Sequence, residues 1–379
     1  MTCDDGERLM VLRDPAGIAG EGLGLSPAAY WVAAQLDGSR TPAEVLAHAR
    51  SSGAQLGAAE LAALIDALAE AGFLEGPSRE AQRRRALREF RAQPARPPSC
   101  AGAVYPTDPA ALRSALDAWL AHPGGPARPT APSGPVRLLI APHIDYARGA
   151  TGYAHAYRAL EATDADLFVV FGTAHSTPPH LFTLTRLDQD TPLGPVRTDR
   201  SVVDALAAEL GDDEVFDDEL AHRDEHSIEL QLVMLAHVVR RPFTVVPVLC
   251  SSISHLPDPA PATARFLSAL VRATRSRRVC WVAGADLAHV GPLYGDPRPP
   301  SARELASLAE EDRRTLRRVV AGDAAGFHRE AVHDDGRRRL CGIAPIYAAL
   351  RASGLPARLL HYQQWTDGTD SVSFVAAAG

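Results

Sequence analysis

From residue 136 onward, short runs rich in Val, Leu, Ile and Phe alternate with longer stretches whose apolar positions recur every three or four residues. Four runs, Val136–Ala141, Leu167–Phe171, Phe243–Leu249 and Val279–Ala283, show little polar alternation, the pattern of strands covered on both faces. Helical spacing predicts helices at Gly152–Leu160, Arg200–Leu210, Ile228–Val239 and Pro261–Thr274, with another at Ala110–Leu120 ahead of the first strand. Such alternation specifies a layered α/β domain whose central mixed or parallel sheet is flanked by helices.

The first part of the chain has a different pattern. Ser26-Pro27 opens a helix through Tyr30, Trp31 and Leu36, Asp37-Gly38 turns the chain, and Thr41-Pro42 caps a second helix carrying Val45 and Leu46. A third helix from about Ala58 holds Leu61, Leu64, Ile65 and Leu68 on one face and stops at Gly72, before Phe73-Leu74. Three helices followed by a short extended piece predict a small winged-helix-like α domain over residues 1–78. Arg83 to Arg85 and Arg88 read as a solvated helix face, and with Pro94, Pro97 and Pro98 they make residues 79–98 a linker to an α/β domain over 99–379. The Pro/Gly stretch His122–Pro135 reads as a surface loop.

Composition removes several chemistries. All 39 basic residues are Arg, and the 379 positions hold neither Lys nor Asn. A phosphate-binding Walker loop and a pyridoxal-phosphate Schiff base both need Lys, and N-glycosylation needs Asn. A net charge of −7 gives no broad basic face for nucleic acid or anionic lipid. The five cysteines are scattered without a C-x-x-C pair, which suits neither a disulfide framework nor a Cys-rich zinc site. With neither a secretory leader nor a membrane-length apolar run, the expected location is the cytoplasm.

In open α/β sheets, ligands gather beyond the carboxyl ends of the strands. Here those ends read Pro142-His143-Ile144-Asp145, Gly172-Thr173-Ala174-His175 and Gly284-Ala285-Asp286-Leu287-Ala288-His289. Three histidines at equivalent places, two with an Asp nearby, suit a divalent transition metal. A further cluster, His222-Arg223-Asp224-Glu225-His226-Ser227-Ile228-Glu229, allows two arrangements. If one helix runs through it, His222, Glu225 and His226 match the inverted zinc-peptidase motif. If a helix begins near Glu225, His226 and Glu229 lie at its start, and His226 faces the strand-end crevice as a proton donor or acceptor.

Taken with Ala101-Gly102-Ala103-Val104-Tyr105-Pro106, Thr191-Pro192-Leu193-Gly194, Cys341-Gly342 with Pro345-Ile346, and Asp370-Ser371-Val372-Ser373, these segments resemble the Memo family over residues 99–379. Its bacterial members are called AmmeMemoRadiSam system protein B. The resemblance implies an α/β fold shared with class III extradiol dioxygenases, which use non-haem Fe(II). It matches His143 and His175 to metal-binding histidines and His226 to an acid/base histidine. It also places the third ligand, a Cys in eukaryotic relatives or a Glu in the dioxygenases, where this chain has Ala288. Alanine cannot bind metal, so His289 or Asp286 is left to complete the set. The N-terminal pattern Leu25-Ser26, Leu36-Asp37-Gly38, Thr41, Glu44 and Gly72-Phe73-Leu74 resembles the PqqD-like peptide-recognition domains found with radical SAM maturases.

These observations set the expectation of a mononuclear metal, Fe(II) first and Cu or Zn otherwise, on His143, His175 and His289. His226 moves protons, Asp145 or Asp286 positions ligands, and Glu229 is counted with them among the catalytic residues. The expected chemistry is redox or dioxygenase-like, and the expected partners are a peptide or small molecule, a radical SAM protein and other AmmeMemoRadiSam proteins, with neither nucleic acid nor membrane. The rival expectations are a non-enzymatic recognition module and a zinc peptidase using His222, Glu225 and His226.

Overall fold

The structure is a computed structural model that describes residues 9–14, 16–19, 22–53, 56–126, 134–161 and 163–379. Cys3 and residues 127–133 of the His122–Pro135 stretch lie outside the described residues. The chain divides into two compact units, Met1–Ala92 and Gln93–Gly379.

In the first unit an antiparallel pair, β1 (Met10–Leu12) and β2 (Leu23–Leu25), precedes four helices: α1 (Pro27–Ala33), α2 (Pro42–Ser51), α3 (Ala58–Glu70) and α4 (Pro77–Arg91). Ser26 caps α1, and Thr41 and Glu44 cap α2 reciprocally, each side chain bonding the other's backbone N–H. Val32, Val45 and Leu61 form the core, with Trp31, Leu36, Leu64 and Ile65 packed against it. The extended piece expected after α3 is not a strand. Gly72 takes φ +82° and the Phe73 N–H donates to the Leu68 carbonyl at 2.8 Å, a helix-ending turn that leads into α4. The segment read as a linker is also structured. Residues 79–91 are helical, supported by the Arg84–Glu80 and Arg85–Glu89 pairs at one-turn spacing and by buried Phe90. Ala95 and Arg96 form a strand of the second unit.

The second unit runs β3 (Ala95–Arg96), α5 (Pro109–Leu120), β4 (Leu138–Ala141), α6 (Tyr146–Arg158), β5 (Leu167–Thr173), β6 (Phe182–Leu184), β7 (Asp188–Gln189), α7 (Arg200–Leu210) and α8 (Asp212–Phe216). A 3-10 turn at Glu219–His222 follows, then α9 (His226–Val238), β8 (Thr244–Cys250), α10 (Ala260–Thr274), β9 (Val279–Gly284) and β10 (Asp286–Val290). The chain continues through α11 (Ala302–Val320), α12 (Ala324–Val332), α13 (Ile343–Ser353), β11 (Arg358–Thr366) and β12 (Ser371–Ala378).

Eight strands make one mixed sheet in the order β10-β12-β4-β9-β5-β8-β6, with β11 also paired to β12. The strands β4, β9, β5 and β8 are parallel, whereas β6 and the strands around β12 run antiparallel to their neighbours. Side chains of the central strands alternate between two cores. Leu138, Ile140, Val169 and Phe171 join Leu206, Phe266, Leu270 and Ile346 from α7, α10 and α13 on one face. Leu139, Phe168, Val170 and Val282 join Leu116, Tyr153, Tyr157 and Leu232 from α5, α6 and α9 on the other. The central strands are therefore apolar throughout because helices cover them on both sides.

Two glycines decide where α9 sits. A Cβ on Gly284 would lie 2.5 Å from the Ser227 carbonyl oxygen, and one on Gly172 would lie 2.5 Å from Ile228 Cγ1 and Ser227 Oγ. Only glycine lets the first turn of α9 press onto the ends of β5 and β9. Among the described residues, no helix is long and apolar enough to cross a membrane.

Candidate metal centre

The parallel strands end in an open cleft of about 860 Å³ lined by His143, His175, His226, Asp286, His289 and Cys341 and flanked by Asp145, Arg148, Tyr294 and Arg339. Three imidazoles converge there from three elements. Ligand nitrogens of His143, His175 and His226 lie within 4.8 Å of one another. The His175 and His226 rings stack at 4.7 Å between centroids, and His143 meets each of them edge-on.

His143 follows β4 and is only 2% exposed. Its Nδ1 is 2.9 Å from the Gly284 carbonyl, which can only accept, so Nδ1 carries the proton and the Nε2 lone pair faces the cleft. Its backbone N–H donates to Asp286 Oδ1 at 3.0 Å, and Asp286 Oδ2 is 3.7 Å from Nε2. Burial, reinforced by the neighbouring His226 and His175, holds this imidazole neutral well below the usual histidine range.

His175 follows β5, and the buried carboxylate of Glu225 orients it. Its backbone N–H and its Nδ1–H both donate to Glu225, at 2.9 Å and 3.0 Å, so its Nε2 is also free. Burial opposes ionisation of Glu225, but the His175 hydrogen bond and charge outweigh it and keep the carboxyl well below the usual range. In return, Glu225 raises His175 against the burial that lowers it. Glu225 also caps α9 by accepting from the Ser227 N–H at 2.9 Å, and it lies 3.3 Å from His226 Nδ1. One carboxylate thus serves two imidazoles and a helix end.

Cys341, on the loop between α12 and α13, is the residue that sequence reasoning missed. Its Sγ lies 3.2 Å from His143 Nε2, and because Nε2 is the unprotonated nitrogen the thiol donates to it. Burial, with Asp286 adding to it, pushes the thiol well above its ordinary value. The signal was present in the Cys341-Gly342 motif, but no predicted strand led up to it. Ala288, the position at which the resemblance sought a third ligand, is wholly buried on β10, where its N–H donates to Ser373 Oγ at 2.9 Å.

The remaining expected residues take other places. His289 lines the cleft but stands outside the three-imidazole group. Its Nδ1 faces the carbonyls of Leu287 and Arg339 at 3.1 and 3.3 Å, and burial lowers it to about 4. Asp286 is buried, which raises its carboxyl to about 7 against the pull of the His143 N–H. Asp145 caps α6 and pairs with Arg148, whose guanidinium lies 4.8 Å over the Trp365 ring.

Glu229 does not face the cleft. It is buried under donors from Arg96, from the Tyr105 hydroxyl, from the Ser99 N–H and hydroxyl at 2.8 and 3.0 Å, and from the Cys100 N–H at 2.9 Å. Such saturation leaves it no capacity for proton transfer. The peptidase arrangement also fails on geometry. His222 ends the 3-10 turn and its Nε2 bonds the Thr183 carbonyl at 3.0 Å, while α9 begins only at His226, so no single helix presents both rings. His180 forms a second group with Asp217 and Asp218, in which Asp218 accepts from the His180 N–H and Nδ1–H at 3.1 and 2.8 Å.

A family model described as Memo-like protein matches residues 96–379. A MEMO1 family protein of Methanopyrus kandleri is 31% identical over 266 residues, which is 68% of this chain and 86% of that protein. One from Methanothermobacter thermautotrophicus is 28% identical over 263 residues, 68% of this chain and 87% of its own length. Another from Desulfurococcus amylolyticus is 27% identical over 291 residues, with coverages of 74% and 95%.

Proposed function

This chain belongs to the Memo family, and on that footing we propose that its cleft holds one transition-metal ion on His143 Nε2, His175 Nε2 and Cys341 Sγ. One observation carries the reading: both Nδ1–H groups are committed to acceptors, which leaves the Nε2 lone pairs of two imidazoles to one cleft, with the Cys341 thiol 3.2 Å from that of His143. Two imidazoles and a thiolate suit Fe(II), Zn(II) or Cu, and deprotonation of the thiol accompanies binding. The carboxylate behind His175 is the outer partner that such ligands characteristically have.

When bound, the metal supplies Lewis-acid or one-electron chemistry, so redox or dioxygenase-like turnover of a small molecule or peptide is the class we assign. The chain's own groups handle protons and orientation. His226 is held below its usual value, chiefly by burial, and accepts a proton at neutral pH. Asp286, with its carboxyl near 7, holds or releases one beside His143. Arg148 and Tyr294 on the cleft wall orient the substrate. We assign the N-terminal unit to capture of a peptide or of a radical SAM partner of the AmmeMemoRadiSam group, a role supported by its resemblance to PqqD-like domains.

Metal analysis of the purified full-length chain tests the reading. The expected result is equimolar metal, lost in the His143→Ala/His175→Ala double variant. Wild-type protein that neither retains nor takes up Fe, Cu or Zn refutes it.

A further inference from the structure

The segment read as a linker contains a heavily engaged guanidinium, that of Arg96. Arg96 is 2% exposed, yet every branch of its fork is used. Its Nε donates to the His222 carbonyl at 2.8 Å, one terminal nitrogen pairs with the Glu229 carboxylate, and the other donates to the Glu225 carbonyl at 2.7 Å and Ser99 Oγ at 3.1 Å. The two carbonyls bracket the turn between the 3-10 segment and α9. The second of them belongs to the residue whose side chain holds His175 and neighbours His226.

We propose that Arg96 is a positioning residue of the cleft, clamping the His222–Glu225 turn so that the Glu225 carboxylate is aimed at His175 and His226. Glu225 is pulled from two directions. Its backbone oxygen is fixed by Arg96 on the outside, and its carboxylate is fixed by the His175 and Ser227 N–H groups on the inside. With both ends held, the side chain has little freedom left, and the tautomer and tilt of His175 follow from it. A planar fork is required because a lysine ammonium, a single point charge, cannot span two carbonyls and a carboxylate at once. The proposal rests on the metal-binding reading only in its consequence for affinity. The geometric part stands on the turn itself.

The test compares full-length wild type, Arg96→Lys and Tyr105→Phe by proton NMR of the His175 Nδ1–H and by titration with Co(II). Tyr105→Phe removes one donor from Glu229 and leaves the Arg96 fork in place, so it measures a general loss of packing. The expected result is that Arg96→Lys loses the protected Nδ1–H resonance and binds Co(II) about 10–100-fold more weakly. Tyr105→Phe matches wild type in both. Equal effects in the two variants, or an unchanged resonance in folded Arg96→Lys, overturn the proposal. If Arg96→Lys does not fold, Arg96→Gln with guanidinium ion in solution replaces it. Return of the resonance supports the assignment, and no return or no folding overturns it. Wild type that shows the resonance but binds no Co(II) refutes the metal reading alone, and the NMR comparison still decides the role of Arg96.

Discussion

Cys341 Sγ and His143 Nε2 are 3.2 Å apart although 198 residues separate them in the chain. A thiol donating to an imidazole lone pair puts a proton where a metal would sit between the same two atoms. Cys341→Ala is therefore expected to weaken Co(II) or Zn(II) binding by more than the roughly 10–100-fold that loss of an outer partner costs. The sulfur-to-Co(II) charge-transfer absorption should disappear with it. Wild-type affinity in this variant would show that the thiol is not a ligand.

Glu225 acts one step further out. Glu225→Gln keeps the volume but turns an acceptor-only group into one that can also donate, so the proton on His175 Nδ1 is no longer specified. Calorimetric titration with Zn(II) should show affinity about 10–100-fold lower. The weaker cap on α9 adds about 1 kcal/mol of lost stability. Unchanged affinity in folded protein would remove Glu225 from the account.

For Glu229 the expectation shifts from chemistry to stability. Glu229→Ala leaves Arg96 buried without its countercharge, and the cost should be about 3–5 kcal/mol in urea unfolding. A folded, fully stable variant with altered turnover would restore the catalytic role that saturation of the carboxylate argues against.

His222 gives a pH signature away from the centre. Burial lowers it to about 4, from an ordinary value of 6.5, against the opposing pull of the Thr183 carbonyl. Between those values the unfolded chain binds a proton that the folded chain does not, so stability falls as pH drops through 6.5 and the loss is complete near 4. The size of the effect is about 3 kcal/mol. His222→Gln can still donate to Thr183 without titrating. Its stability should fall by about 2 kcal/mol less than that of wild type between pH 7 and about 4.5, measured by urea midpoints. Identical slopes would mean that His222 is protonated in the fold.

The strands that the sequence made legible are those buried on both faces. The run expected at Leu167–Phe171 is β5 with two residues added, and Val279–Ala283 is β9 with one. By contrast, Asp286–His289 was read only as the segment beyond a strand end and belongs to a strand of its own, because the polar groups at Asp286 and His289 find partners that periodicity cannot display: the His143 N–H for one, and two carbonyls for the other. The cleft histidines at 143 and 175 stood out because each follows a recognisable strand. Cys341 follows none, and its approach to His143 depends on a turn that presents it from between two helices. Arg96 was hidden for another reason. In a chain whose every cation is arginine, one Arg in a proline-rich stretch carries no mark of burial, and only the fold shows which carbonyls it holds.

The strand order has a consequence for biosynthesis. The partner that closes the β12 side of β4 is β12, whose Ala377 and Ala378 pair with Ile140 and Leu139. On the ribosome, β4 and the His143 that follows it emerge long before that partner exists. Throughout elongation the nascent sheet therefore carries a bare apolar edge next to His143, open to mispairing and to chaperone capture.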